Sequence, residues 1–184
     1  MRKMPEIFNT ETVARTRLFR IERVNLRFVN GKEVAYERVL GSNFRSVLVV
    51  PLLGPETVLL VREYAVGTHR YELGFPKGVV EQDEDLMAAA NREIMEEVGY
   101  GAHTLKYLTA MTIVPGYIGH ITHIVLAENL YQQRLLGDEP EEVEVISWSI
   151  RDTAALLARD DFTEARSIAA LFLVRDMLKR RLTL

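Results

Sequence analysis

The sequence contains no cysteine. Disulfide staples, thiolate metal ligands and cysteine nucleophiles are therefore excluded. The absence fits a reducing compartment, and the cytoplasm is the expected location. Long apolar runs are missing too. The longest, Val47 to Leu53, is interrupted by Pro51 and falls far short of the roughly 20 residues a membrane helix needs. No membrane partner is expected. The opening MRKMPEIFNTE has two basic residues with no apolar stretch behind them, so it does not read as a secretory leader. Eleven glycines and six prolines occur without period, which excludes collagen-like and low-complexity fibres. What remains is 184 residues, 48% hydrophobic and 27% charged, the size and balance of one globular domain with a small appended element.

Net charge is −3, a bland total with an uneven distribution. Residues 81–97 hold seven acids and one base, and residues 138–144 hold five acids and no base. The other 160 residues carry a net charge of +8. Two acidic islands in a basic body suit carboxylates that collect cations while their surroundings attract a small anion. A nucleic acid partner is not expected.

The first half reads as strands. Phe19 to Phe28 runs into Val29-Asn30-Gly31-Lys32, and Asn-Gly is a strong hairpin signal because both residues accept positive φ. Val34 to Leu40 is the return strand. Arg45 to Leu53 and Thr57 to Tyr64, separated by Gly54-Pro55, form a second hairpin. Tyr71 to Phe75 is a short strand, and Gly74, Pro76 and Gly78 punctuate a loop. From Asp83 to Val98 the period becomes helical, with Asp83 as N-cap, an apolar row of Leu86, Ala90, Ile94 and Val98, and Gly99 and Gly101 as the stop. Strands follow at 105–112, 121–127 and 143–148, then helices at 150–158 and 163–181. The order predicts a mixed α/β sandwich. A β element over 1–43, suited to dimerisation, precedes a catalytic domain over 44–184.

Glu93, Glu96 and Glu97 fall within an arc of roughly 100° on one side of the predicted helix. Like charges at these spacings repel by about 0.2–0.5 kcal/mol per pair, and they lie near the negative end of the helix dipole. Glu97 also projects at nearly the angle of Leu86 and Ala90, at the edge of the apolar face, where desolvation raises a carboxyl pKa. A hard divalent cation, Mg²⁺ or alternatively Mn²⁺, relieves all three costs. The alternative is an exposed acidic helix end with Arg92 as a surface partner.

Gly78-(five)-Glu84-(seven)-Arg92-Glu93-Ile94-Met95-Glu96-Glu97-Val98-Gly99-Tyr100 resembles the signature of the Nudix hydrolases, G-x5-E-x7-R-E-U-x-E-E-x-G-U, with U a bulky apolar residue. All fixed positions match, and only Tyr100 departs softly, being aromatic. The resemblance implies an α/β/α Nudix sandwich with a mixed sheet plus an N-terminal antiparallel β-hairpin. It also implies Glu93, Glu96, Glu97 and the Gly78 carbonyl as metal ligands, and Glu84 and Arg92 as orienting partners. Pro115 lies 16 residues beyond Gly99, an offset similar to that of ADP-ribose pyrophosphatases. The segments Arg62-Glu63-Tyr64, Thr68 to Phe75, Glu11 to Arg15, Gly137 to Glu141 and Glu164-Ala165-Arg166-Ser167 are similar to the NudE-type group of ADP compounds hydrolases.

The implied activity is Mg²⁺-dependent cleavage of the diphosphate in ADP-ribose, NADH or diadenosine di- and triphosphate, releasing AMP. A nucleoside triphosphate sanitiser and a non-catalytic nucleotide sensor are the alternatives. Glu139 or Glu141, on the loop before the last strand, is implied to reach the metals or the attacking water. Arg62, Arg45 and Arg70 are candidate phosphate or ribose contacts, with Pro115 beside the substrate. His120 or His123 is a weaker candidate for a substrate contact. Tyr64, Tyr71 and Phe75 serve as adenine platforms or as core, and Trp148 as core. A homodimer is implied.

Overall fold

The computed structural model describes residues 2–41, 45–138 and 140–181. The chain divides into two compact units, one within Met1–Phe44 and Thr112–Ile121, the other comprising Arg45–Met111 and Thr122–Leu184.

The first unit is a three-stranded antiparallel sheet of β1 (Glu6–Arg15), β2 (Phe19–Arg27) and β3 (Glu33–Gly41), in that order. The sequence predicts a hairpin; the structure adds β1, whose residues are all exposed. A strand with no buried face has no apolar alternation to betray it. The β2–β3 hairpin turns at Asn30-Gly31, but only Gly31 takes a positive φ, +80°. Its N–H returns to the Phe28 carbonyl at 2.9 Å, so the turn is not the doubly left-handed one the dipeptide suggests. Ion pairs lace the sheet across strands, among them Arg23 with Glu11 at 2.8 Å and Arg38 with Glu22 at 2.9 Å. The segment 112–121 returns to this unit, where Val39 N–H donates to the Tyr117 carbonyl at 2.7 Å.

The second unit is built on a seven-stranded sheet. Its path runs β10 (Glu144–Ser149), β5 (Thr57–Ala65), β4 (Arg45–Leu53), β9 (Ile121–Gln132), β8 (Tyr100–Thr112). Beside it, β6 (Arg70–Gly74) pairs with β5, and β7 (Lys77–Val80) pairs with β4. The sequence places Gly78 in a loop; it lies in β7 opposite Val47. Pro76 hides this strand in the sequence, since proline cannot donate to a ladder and usually ends strands.

The central strand β4 is buried on both sides, and alternation sends its side chains to two cores. Leu48, Val50 and Leu52 pack with Leu60, Phe75, Ile124 and Leu126 against Leu156, Leu171 and Val174 of α2 (Thr153–Leu157) and α3 (Ala165–Arg181). Val47 and Val49 pack with Val61 and Val125 against Ala89, Ala90 and Ile94 of α1 (Leu86–Glu97). Each fully buried Leu, Ile or Val contributes about 1.5–3 kcal/mol. Two apolar faces on one sheet, each covered by helix, make the layered sandwich. No helix among the described residues is long and apolar enough to cross a membrane.

Candidate functional site

Helix α1 starts later than its sequence suggests. Asp85, not Asp83, caps it, its carboxylate accepting from Met87 and Ala88 N–H. Asp83 instead takes φ +66° in the turn before the helix, a conformation short polar residues tolerate. At the other end Gly99 holds φ +75°, the left-handed stop that only glycine adopts cheaply.

The carboxylates of the last turn do not all point into water. Glu93 is 6% exposed and Glu97 4%, because their positions fall beside the buried row of Ala90 and Ile94. Arg92 organises the group. Its Nε and Nη2 hold the two oxygens of Glu84 at 2.9 and 3.1 Å, and its Nη1 donates to Glu93 at 2.8 Å and Glu96 at 2.9 Å. Nη2 also reaches the Val79 carbonyl on β7 at 3.0 Å. Such a fork is beyond a lysine's point charge. The bond with Glu84 foremost holds the guanidinium above its already high pKa, and the same bond draws the Glu84 carboxyl below its usual range.

Glu97 has the opposite environment. Burial pushes its carboxyl well above the ordinary range, and Glu63 and Glu93 add to the rise, while Lys77 opposes it. One oxygen accepts the Lys77 N–H at 3.3 Å. The other is buried with no hydrogen-bond partner among the described residues. Glu93 lies so close to Gly78 that a Cβ there would stand 2.0 Å from its Oε1. Among the described residues no three acidic or imidazole groups already converge as a metal cage; a guanidinium N–H bridges Glu93 and Glu96 instead. The set nonetheless fits a hard cation: carboxylate oxygens, an unpaired buried lone pair on Glu97 and a glycine that admits close approach.

The other sequence candidates divide. Arg62 pairs with Asp161 through Nη2 at 3.2 Å and with Glu144 through Nε at 3.5 Å, and the buried Nε has no hydrogen-bond acceptor among the described residues. A small hollow of about 80 Å³ joins Arg62, Glu63 and Tyr64 to Pro140, Glu141 and Val143. Glu141 accepts the Tyr71 hydroxyl at 2.7 Å, and Tyr71's own pKa rises through that bond. Glu139 lies outside the described residues. Arg70 ties its fork to Glu72 at 2.7 Å and to Thr163 at 3.0 Å. Arg45 opens β4 opposite Val80. Pro115 and His120 belong to the first unit. The pKa of His123 is lowered, first by burial and then by Arg45.

Phe75 is fully buried core, whereas Tyr64 and Tyr71 are 43% and 49% exposed and meet edge to face at 5.8 Å. Trp148 packs on the α3-side core and donates to the Asp152 carbonyl at 3.1 Å. Sequence reasoning missed Lys77, which pairs with Glu63 at 2.8 Å. Its place directly before Gly78 was the available signal. A cavity of about 710 Å³ lined by Glu56, Ile150, Arg151, Arg175, Leu178 and neighbours shares no residue with the carboxylate group. Volume therefore does not mark the chemistry here.

Comparison with known proteins matches residues 42–171 to the NUDIX domain and residues 5–38 to the NudE-type Nudix hydrolase N-terminal domain. The chain is 47% identical over 175 residues to the ADP compounds hydrolase NudE of Escherichia coli K12, covering 95% of this chain and 94% of that one. It is 27% identical over 168 residues to the ADP-ribose pyrophosphatase of Bacillus subtilis, covering 88% and 90%. A crystal structure of an ADP compounds hydrolase superposes with a TM-score of 0.91 at 45% identity, covering 98% of this chain and 97% of that one.

Proposed function

This chain belongs to the Nudix family, and from that premise we propose that it is a pyrophosphohydrolase that cleaves the diphosphate of ADP conjugates such as ADP-ribose, NADH and diadenosine di- and triphosphate, releasing AMP. The names of its relatives support the substrate class. The observation that carries the chemistry is the buried pair Glu93 and Glu97, one against Gly78 and the other with an oxygen unpartnered among the described residues.

Glu93, Glu96, Glu97 and the Gly78 carbonyl would hold a divalent cation, Mg²⁺ with Mn²⁺ as a substitute. When bound, it supplies charge neutralisation on the diphosphate and a lowered pKa for the attacking water. Arg92 fixes where Glu93 and Glu96 point, and Glu84 fixes Arg92. Arg62, Arg45 and Arg70 bind phosphate or ribose oxygens as charge-assisted forks. Glu139 or Glu141 orients the attacking water, a role decided by reach before pKa. The protein works in the cytoplasm as a homodimer. The fully exposed β1 supports pairing, since a three-stranded sheet with so little buried gains from a second copy.

The deciding experiment is AMP release from ADP-ribose with Mg²⁺, with and without EDTA. Release abolished by the chelator is the expected result. A nucleoside triphosphate preferred over every ADP conjugate would move the protein to the sanitising class. Tight binding without release would make it a sensor.

A further inference from the structure

The segment Glu164-Ala165-Arg166-Ser167 takes no part in the proposed chemistry, yet it builds a partly buried polar network. Ser167, in the first turn of α3, is 0% exposed. Its Oγ accepts the Phe75 N–H at 3.1 Å. Glu164 accepts the Ser167 N–H at 2.7 Å, and Arg166 Nε donates to the same carboxylate. Arg166 Nη1 donates to Thr122 Oγ1 at 3.0 Å, and Thr122 shares a hydrogen bond with Ser46 at 2.9 Å.

One end of this network lies just before the strand that carries Gly78, and the other lies on the strand paired with it. Phe75 stands two residues before Lys77, whose N–H donates to Glu97 at 3.3 Å. Ser46 stands opposite Val79 in register, and the Val79 carbonyl accepts from Arg92 at 3.0 Å. Gly74 lets the helix come close, since a Cβ there would lie 3.1 Å from Ser167 Oγ. Capping α3 needs only Glu164 and the Ser167 N–H. The bond to Phe75 does something else.

We propose that Ser167 is a positioning residue for the hydrolysis: by holding the Phe75 amide it sets where the Lys77 N–H and Gly78 stand against Glu97 and Glu93. Its effect on turnover rests on the function proposed above; its effect on the backbone does not. A buried donor left unpaired costs more than the bond itself contributes, so the corner shifts when the hydroxyl is removed.

The test is Ser167→Ala in the full chain. Amide hydrogen exchange on the metal-free protein should show Phe75 and Lys77 losing protection by about fivefold or more, the weight of one hydrogen bond, with Val145 on β10 unchanged. With Mg²⁺ and ADP-ribose, kcat should fall by about 10–100-fold while KM stays within about threefold of wild type and the Mg²⁺ concentration for half activation rises. If the alanine variant does not fold, Ser167→Cys keeps the volume with a poor acceptor and should give the same pattern. Unchanged protection at Lys77 overturns the proposal. So does protection lost equally on β10, or a loss of kcat/KM carried by KM alone. A wild type inert toward ADP-ribose overturns the function and leaves the exchange result to judge Ser167.

Discussion

Arg92 grips Glu84 with two nitrogens, at 2.9 and 3.1 Å, and keeps a third for Glu93 and Glu96. A residue before the helix thus aims carboxylates at its end. Arg92→Lys retains the charge and loses the fork. Its kcat/KM for ADP-ribose should fall by about 10–100-fold with circular dichroism unchanged. A variant within twofold of wild type would remove Arg92 from the orienting role.

Glu97→Gln separates chemistry from stability. Turnover should drop at least about 100-fold, a common size for the loss of one acid, base or ligand. The melting temperature of the metal-free protein should hold or rise, because the amide avoids the burial cost that raises the Glu97 carboxyl. Retained turnover would reject Glu97 as a ligand.

Gly78→Ala tests the close approach on β7. The added methyl would enter the space of Glu93 Oε1, so the carboxylate must move. Calorimetric Mg²⁺ binding should weaken by about tenfold or more. Unaltered uptake would show that Glu93 is not held in place by Gly78.

The acid limb of stability should carry Asp161. Its carboxylate takes two bonds from Arg159, each 2.8 Å, which foremost lower its pKa, and Arg62 lowers it further. A depressed carboxyl stabilises the fold above the ordinary aspartate range and loses that contribution as pH falls through its folded value. Urea midpoints should therefore decline below about pH 4, and Asp161→Asn should flatten that decline. Parallel curves for the two proteins would assign the acid limb elsewhere.

Much of the candidate site is legible in the sequence, because its residues lie on one periodic helix and its flanks. Spacing alone put Glu93, Glu96 and Glu97 on one side and Glu97 at the apolar edge. Parts that depend on chain reversal were hidden. The Asp85 cap depends on a left-handed Asp83, and β7 hides between Pro76 and Gly78. Strand β1 offers no alternation to read, and the pairing of Tyr71 with Glu141 spans 70 residues. Side chains at such separations meet only through tertiary packing.

Strand β4 lines two separate interiors, odd positions facing α1 and even positions facing α3. A single codon deleted within it would swap the linings. Val47 and Val49 would then be offered to the α3 side, and Leu48 and Val50 to the helix that bears the glutamates. Length changes in this strand should thus be far less tolerable than conservative replacements, since one lesion would misfit both halves at once.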